Sequence, residues 1–175
     1  YINEKGAFAK AKNLQVKNDP TGWFDFKEEQ QIKLSELDVI LMRQDPPFNS
    51  NFIYNTYVLE SAEKEGVLVV NKPASLRDCN EKVFATEFPE CCTPFLVTSD
   101  PNLLKSFIED HKDTVIKPLD GMGGSSIFRL RYSDPNLNVI LETITESFST
   151  KVMIQTYIPE IADGDKRILL INGVP

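Results

Sequence analysis

The chain has one histidine, His111, and three cysteines, Cys79, Cys91 and Cys92, in 175 residues. A single imidazole gives a multi-histidine metal centre or a Ser-His-Asp triad little support. His111 reads instead as the solvated end of a helix. The cysteines are odd in number and lack metal-type spacing, so they read as reduced thiols rather than a disulfide framework, and none reads as a nucleophile. No apolar run approaches the roughly 20 residues of a membrane span. The N-terminal stretch also lacks the charged-then-apolar plan of a signal peptide. Cytoplasm without membrane attachment is the expected setting. Basic residues are scarce too: 19 Lys and Arg against 26 Asp and Glu leave a net charge of −7. That balance argues against an extended nucleic-acid face, and any phosphate site must be local.

What is present is enough for an ordered core, with 41% hydrophobic and 10% aromatic residues, arranged in one or two lobes. Strand-like and helix-like segments alternate, the pattern of an α/β or α+β domain. Residues 1–36 are polar, lysine-rich and the least regular; Trp23, Phe24 and Phe26 are expected to anchor them to the core. Val39 to Met42 and Val67 to Val70 read as short buried strands around a helix from about Phe52 to Lys64, which Gly66 stops. Ser75 is expected to cap the next helix, with Asp78 three residues on and Leu76, Cys79, Val83 and Phe84 as its buried stripe. Phe95 to Thr98 reads as a strand. Asp100-Pro101 is an N-cap followed by proline at the first helical position, and Leu103, Leu104, Phe107 and Ile108 form the buried face behind it. A helix from about Val139 to Phe148 should bury Ile140, Leu141, Ile144 and Phe148. Val152 to Ile154 and Arg167 to Ile171 complete the strands. Asn172-Gly173 is a strong two-residue hairpin signal, so a partner strand is expected past Pro175. The expected lobe boundary falls between Pro73 and Thr93, dividing residues 1–73 from 74–175.

The stretch with the most chemistry is Thr114 to Leu130, TVIKPLDGMGGSSIFRL. Two strand-like runs flank Asp120, Gly121, Met122, Gly123, Gly124 and Ser125, which should be the tip of a β-hairpin. Glycines there allow positive φ, so backbone N–H groups can converge on an anion, and Lys117 adds a charge at the base; taken alone, the loop reads more readily as a flexible hairpin turn with no ligand. No Gly-Lys-Ser/Thr follows and no helix opens at the glycines, so neither a Walker loop nor a dinucleotide fingerprint fits. Three weaker features join it. Lys82 could extend its ammonium to a phosphate or merely snorkel. Gln155, Thr156, Tyr157 and Ile158, where a strand gives way to a turn, could meet a base edge or be a plain strand end. Arg167, after the Asp163-Gly164-Asp165 turn, carries a fork suited to phosphate or carboxylate, or is solvated. In this order the features describe one nucleotide site.

The ordered set DVILMRQDPPF, NKPASLRDCNEKVF, KPLDGMGGSSIFR and QTYIPEIADGDKRILLINGVP resembles bacterial-type glutathione synthetase, a branch of the ATP-grasp ligases, from about Leu37 to Pro175. The resemblance implies an ATP-grasp fold with a preceding Rossmann-like lobe, both incomplete in this chain. It also implies a homotetrameric ligase that joins γ-glutamylcysteine to glycine with ATP and Mg²⁺. By position, Lys82 and Lys117 would meet ATP phosphates, Gly121 to Ser125 would be the lid, Gln155 to Ile158 the adenine hinge, and Arg167 would face the transferred phosphate. Asp45 and Pro46 lie after a strand's carboxyl end and are assigned to the peptide-substrate side, with a rigid turn packed by Phe48 as the plain alternative. Relative to the family, the chain is expected to lack the first strand-helix unit and to end before the magnesium-holding residues, so no metal ligand is assigned. Another ATP-grasp carboxylate-amine ligase and a non-catalytic nucleotide-binding module stay open.

Overall fold

A computed structural model of the chain describes residues 1–44, 47–121 and 123–175. The chain divides into two compact units: Tyr1–Phe84 with Asp120–Met122, and Ala85–Leu119 with Gly123–Pro175.

The first unit opens with an antiparallel ribbon. β1 (Ile2–Asn3) pairs with β2 (Gly6–Val16), which pairs with β3 (Phe24–Lys33) from Phe8 opposite Lys33 to Val16 opposite Phe24. A register shift between Lys12 and Leu14 marks a bulge. The turn is closed by Asp19, whose Oδ1 accepts from the Thr21 N–H at 2.9 Å, the Thr21 hydroxyl at 2.8 Å and the Gly22 N–H at 3.3 Å. These donors hold the Asp19 carboxyl below its usual range, the Thr21 N–H contributing most. Residues 1–36 are thus more regular than their composition suggests. Nor do Trp23, Phe24 and Phe26 reach a core. They stand exposed and meet one another edge-on, at 4.5 and 5.2 Å between ring centres. The physical reason is that only the base of the ribbon has a layer beneath it: Ala7 and Leu34 are buried with Ala62 and Val67.

β4 (Val39–Leu41) and β5 (Leu68–Val70) lie parallel, joined through α1 (Ser50–Lys64). Asn49 caps α1, its Oδ1 accepting from the Phe52 N–H at 3.1 Å, and Phe52, Thr56 and Ala62 form the buried face. Gly66, at φ +102°, follows its end. The two strands are half-buried at most: Val69 is buried, while Val39, Leu41, Leu68 and Val70 are exposed, because a two-stranded sheet with one helix has a layer on one side only. α2 (Pro73–Asp78) starts with Pro73 at its first turn after Lys72, so Ser75 lies inside the helix and does not cap it. The helix ends before the expected stripe does, and Cys79, Val83 and Phe84 are exposed rather than core. What ties α2 to α1 is Arg77, whose guanidinium donates to Glu60 Oε2 at 2.7 Å and Thr56 Oγ1 at 3.0 Å and lies over the Tyr57 ring.

The second unit is a four-stranded antiparallel sheet in the order β6-β9-β7-β8, from β6 (Phe95–Thr98), β7 (Thr114–Pro118), β8 (Phe128–Leu130) and β9 (Val152–Thr156). α3 (Pro101–His111) begins as expected, with Asp100 Oδ1 accepting from the Asn102 and Leu103 N–H groups at 2.8 and 3.2 Å. α4 (Leu137–Ile144) is shorter than its pattern. Glu146, Ser147 and Phe148 adopt positive φ, which ends the helix and leaves Phe148 partly exposed instead of buried. Leu104 and Ile108 of α3, Leu137, Leu141 and Ile144 of α4, and Ile116, Leu130, Val152 and Ile154 of the sheet form one core. Each such side chain contributes roughly 1.5–3 kcal/mol by leaving water.

Arg167 to Ile171 do not form the expected strand. Asn172 and Gly173 do make a positive-φ turn, but it closes only a bridge between Ile171 and Val174, and Ile168 to Ile171 are exposed. An apolar run becomes a strand only beside a hydrogen-bonding neighbour. Among the described residues, no helix is long and apolar enough to cross a membrane.

Candidate functional site

Alternation along the four-stranded sheet separates its two faces. Ile116, Leu130 and Ile154 point into the α3/α4 core. Val115 lies opposite both Arg129 of β8 and Gln155 of β9, so these three share the other face. That face opens into a cleft of about 410 Å³, lined by Thr93, Val115, Lys117, Ile127, Arg129, Gln155, Thr156, Tyr157, Ile158 and Ile161. The structure therefore brings Lys117 together with all four hinge residues, Gln155 to Ile158. The cleft is mostly apolar, with two cations, Lys117 and Arg129, in its walls, a composition suited to a flat ring carrying a charged tail.

The hinge is fixed by its neighbours. The Thr156 N–H donates to the Pro94 carbonyl and the Tyr157 N–H to the Asp113 carbonyl, both at 3.0 Å, while the Thr93 hydroxyl reaches the Thr156 carbonyl at 3.5 Å. The Ile158 N–H has no protein acceptor among the described residues.

Sequence reasoning missed Arg129. Its Nε and Nη2 donate to Asp113 Oδ1 and Oδ2 at 2.7 and 2.6 Å, and its guanidinium lies 3.6 Å from the centre of the Tyr157 ring. Arg131 donates to the same carboxylate from Nη2 at 2.9 Å. The Arg129 hydrogen bonds, ahead of those from Arg131, hold the Asp113 carboxyl well below the usual carboxylate range; Asp113 in turn raises the Arg129 guanidinium. The signal in the sequence was the Arg-x-Arg spacing, which puts two cations on one side of an extended chain.

The glycine hairpin is present: β7 and β8 pair from Thr114 opposite Leu130 to Ile116 opposite Phe128, and Asp120 to Ser126 belong to the segment joining them. Gly123 and Gly124 have φ +65° and +75°, and Ser126 has +56°. A Cβ at either glycine would meet no atom within 4 Å, so glycine serves the backbone conformation there rather than close packing. In the first unit, Asn80 Oδ1 accepts from the Lys82 and Val83 N–H groups, both at 3.0 Å, and makes the turn that carries Lys82. The Lys82 ammonium, its side chain only 12% exposed, donates to the Gly121 carbonyl at 2.6 Å and Glu81 Oε1 at 2.7 Å. The Asp120 carbonyl accepts from the Phe48 N–H at 3.4 Å.

Arg167 lies in an exposed segment and does not line the cleft. Asp45, Pro46 and Met122 lie outside the described residues. Among the described residues no three His, Cys, Asp or Glu side chains cluster as metal ligands.

Residues 81–175 match the family described as prokaryotic glutathione synthetase, ATP-grasp domain, and residues 1–77 match prokaryotic glutathione synthetase, N-terminal domain. Among curated proteins, the glutathione synthetase of Pseudomonas putida is 58% identical over the whole chain and 55% of its own length. That of Vibrio cholerae is 55% identical with the same coverage. The chain thus spans about half the length of the curated relatives it matches. Among solved structures, D-cycloserine synthetase DcsG gives a TM-score of 0.56 at 13% identity, covering 74% of this chain and 47% of that one. D-alanyl-alanine synthetase A from Vibrio cholerae gives 0.55 at 12% identity, covering 90% and 45%. These likenesses bear on fold, and with the hairpin, the helix-backed sheet and both matched domains, they make this an α/β chain with an ATP-grasp domain that belongs to the prokaryotic glutathione synthetase family.

Proposed function

We propose that this chain is the part of a glutathione-forming ligase that receives ATP, in an enzyme that joins γ-glutamylcysteine to glycine. The observation that carries the reading is the meeting of Lys117 and the Gln155–Ile158 hinge in one cleft, in a chain whose relatives are named glutathione synthetase. The adenine edge would lie against the Ile158 N–H, and the phosphates would run toward Lys117.

The chemistry sets what the residues must do. A carboxylate is a poor acyl donor, so the γ-glutamylcysteine carboxylate attacks the γ-phosphorus of ATP, ADP leaves, and an acyl phosphate forms. The glycine amine attacks its carbonyl carbon and inorganic phosphate departs with the bonding pair. Negative charge builds on phosphoryl oxygens in the first step and on the tetrahedral carbon's oxygen in the second. Lys117, the Lys82 ammonium and the loop N–H groups from Gly121 to Ser125 are the donors proposed for the phosphoryl charge. Arg167 is assigned to the acyl phosphate. A glycine lid would also exclude water from the acyl phosphate, which water hydrolyses. Asp45 and Pro46 stay assigned to the peptide substrate. ATP is supplied to such an enzyme as its magnesium complex, and a cytoplasmic homotetramer is the proposed setting.

The test is ADP release by the protein that carries this sequence, given ATP, Mg²⁺ and γ-glutamylcysteine, with and without glycine. Glycine-dependent release, with ATP affinity falling roughly 10- to 100-fold in Lys117→Ala, is the expected result. Release with D-alanine in place of glycine would move the reading to another carboxylate-amine ligase. ATP binding without turnover would leave a nucleotide-binding module.

A further inference from the structure

We infer that Asp113 and Arg129 are positioning residues that clamp Tyr157 and thereby set the base-reading edge of the cleft. The inference deepens the nucleotide reading above and rests on it. Asp113 meets Tyr157 twice by different routes. Its carbonyl accepts the Tyr157 N–H at 3.0 Å, and its carboxylate holds, by two parallel bonds of 2.7 and 2.6 Å, the guanidinium that covers the Tyr157 ring at 3.6 Å. Backbone, ring, guanidinium and carboxylate therefore close one loop of interactions around a single hinge residue.

Each part of that loop is itself anchored. Asp113 follows α3 directly, after Lys112 at φ +66°, and its N–H donates to the His111 carbonyl at 2.8 Å. Arg129 sits on β8 opposite Val115, so the sheet sets where its fork begins. Tyr157 follows β9 and precedes Ile158, the residue whose N–H is available to a base. A bidentate Arg–carboxylate pair adds geometry as well as attraction, and a guanidinium over an aromatic face resists sliding. Displacing Tyr157 would shift the Ile158 N–H with it, and a hydrogen bond to a base edge tolerates little displacement. The clamp thus acts on recognition of the base and not on the phosphates.

Arg131 supplies an internal control. It donates to the same carboxylate oxygen, at 2.9 Å, but only Arg129 covers Tyr157. A simple staple would be weakened by losing either arginine, whereas a hinge clamp depends on Arg129.

The test measures equilibrium binding of ATP, GTP and inorganic tripolyphosphate to the protein that carries this sequence and to four variants. Asp113→Asn and Arg129→Ala are expected to weaken ATP binding about tenfold and to reduce the preference for ATP over GTP, with tripolyphosphate affinity held within about twofold. Arg129→Lys, which keeps the charge and loses the fork, should fall between, and serves if Arg129→Ala does not fold. Arg131→Ala should bind ATP within about twofold of the parent. Equal losses for ATP and tripolyphosphate, unchanged ATP binding in the Asp113 and Arg129 variants, or an Arg131→Ala loss as large as that of Arg129→Ala would overturn the clamp. A parent protein that binds tripolyphosphate but shows no preference among bases would overturn it too. A parent that binds none of the three would overturn the nucleotide reading itself, a result recognisable before any variant is made.

Discussion

Two hairpins in this chain invert the expected relation between length and support. The β2/β3 ribbon pairs over most of two long strands, yet most of its side chains face water and only its base, at Ala7 and Leu34, is buried in a core. The β7/β8 hairpin pairs at three positions, but β9 flanks it and Ile116 and Leu130 are fully buried against α3 and α4. Backbone pairing is common to both, so what separates them is the layer beneath. The difference bears on function, because the short hairpin carries Lys117 and Arg129 at the cleft and needs a rigid floor, whereas the ribbon carries no residue of the site.

The comparison is broken most severely by removing that floor. Ile154→Ala, which deletes a fully buried side chain of β9, is expected to cost about 2–5 kcal/mol in a denaturant titration. A loss below about 1 kcal/mol would mean the core is not what holds the short hairpin. Asp113 gives a smaller, pH-dependent effect. Its carboxyl ionises more readily folded than unfolded, so its contribution is complete above the ordinary carboxylate value near 4 and is lost as pH falls through that value toward the lower native one. With its side chain 30% exposed, the contribution is discounted for solvent to about 1 kcal/mol. Melting temperature should therefore fall more steeply from pH 5 to pH 2 in the parent than in Asp113→Asn, and parallel profiles would contradict this. The smallest effect belongs to the ribbon. Phe26→Ser, at a residue 61% exposed, should change stability by less than about 0.5 kcal/mol in the same titration. A loss near that of Ile154→Ala would show that the ribbon's outer face is covered in solution.

How far the sequence foretold this varies with how local the cause is. The Asp100-Pro101 cap, α1 and the glycine hairpin were legible because each is set by residues within a few positions of one another. Motif order grouped Lys117 with Gln155 to Ile158, and these residues line one cleft. The ribbon was not legible: FDFKEEQQIK has no sustained apolar alternation, and its pairing comes from backbone and from a turn that Asp19 closes. Ile168 to Ile171 failed in the opposite sense, having a strand's pattern and no partner. The Asp113–Arg129 pair was hidden because its members stand 16 positions apart and meet only once β7 and β8 are in register. Boundaries erred where a backbone conformation cut a pattern short, as the positive-φ residues after α4 did.

The open space around Gly123 and Gly124 has a consequence for the loop's chemistry. With nothing for an L-residue's methyl group to strike, what disfavours an L-residue is handedness, a cost that Ser126 bears at φ +56° in the same loop. A D-alanine introduced by chemical synthesis at either position would sit in the favoured half of φ space. The loop's demand is thus for a mirror-image backbone, which glycine meets because it is achiral.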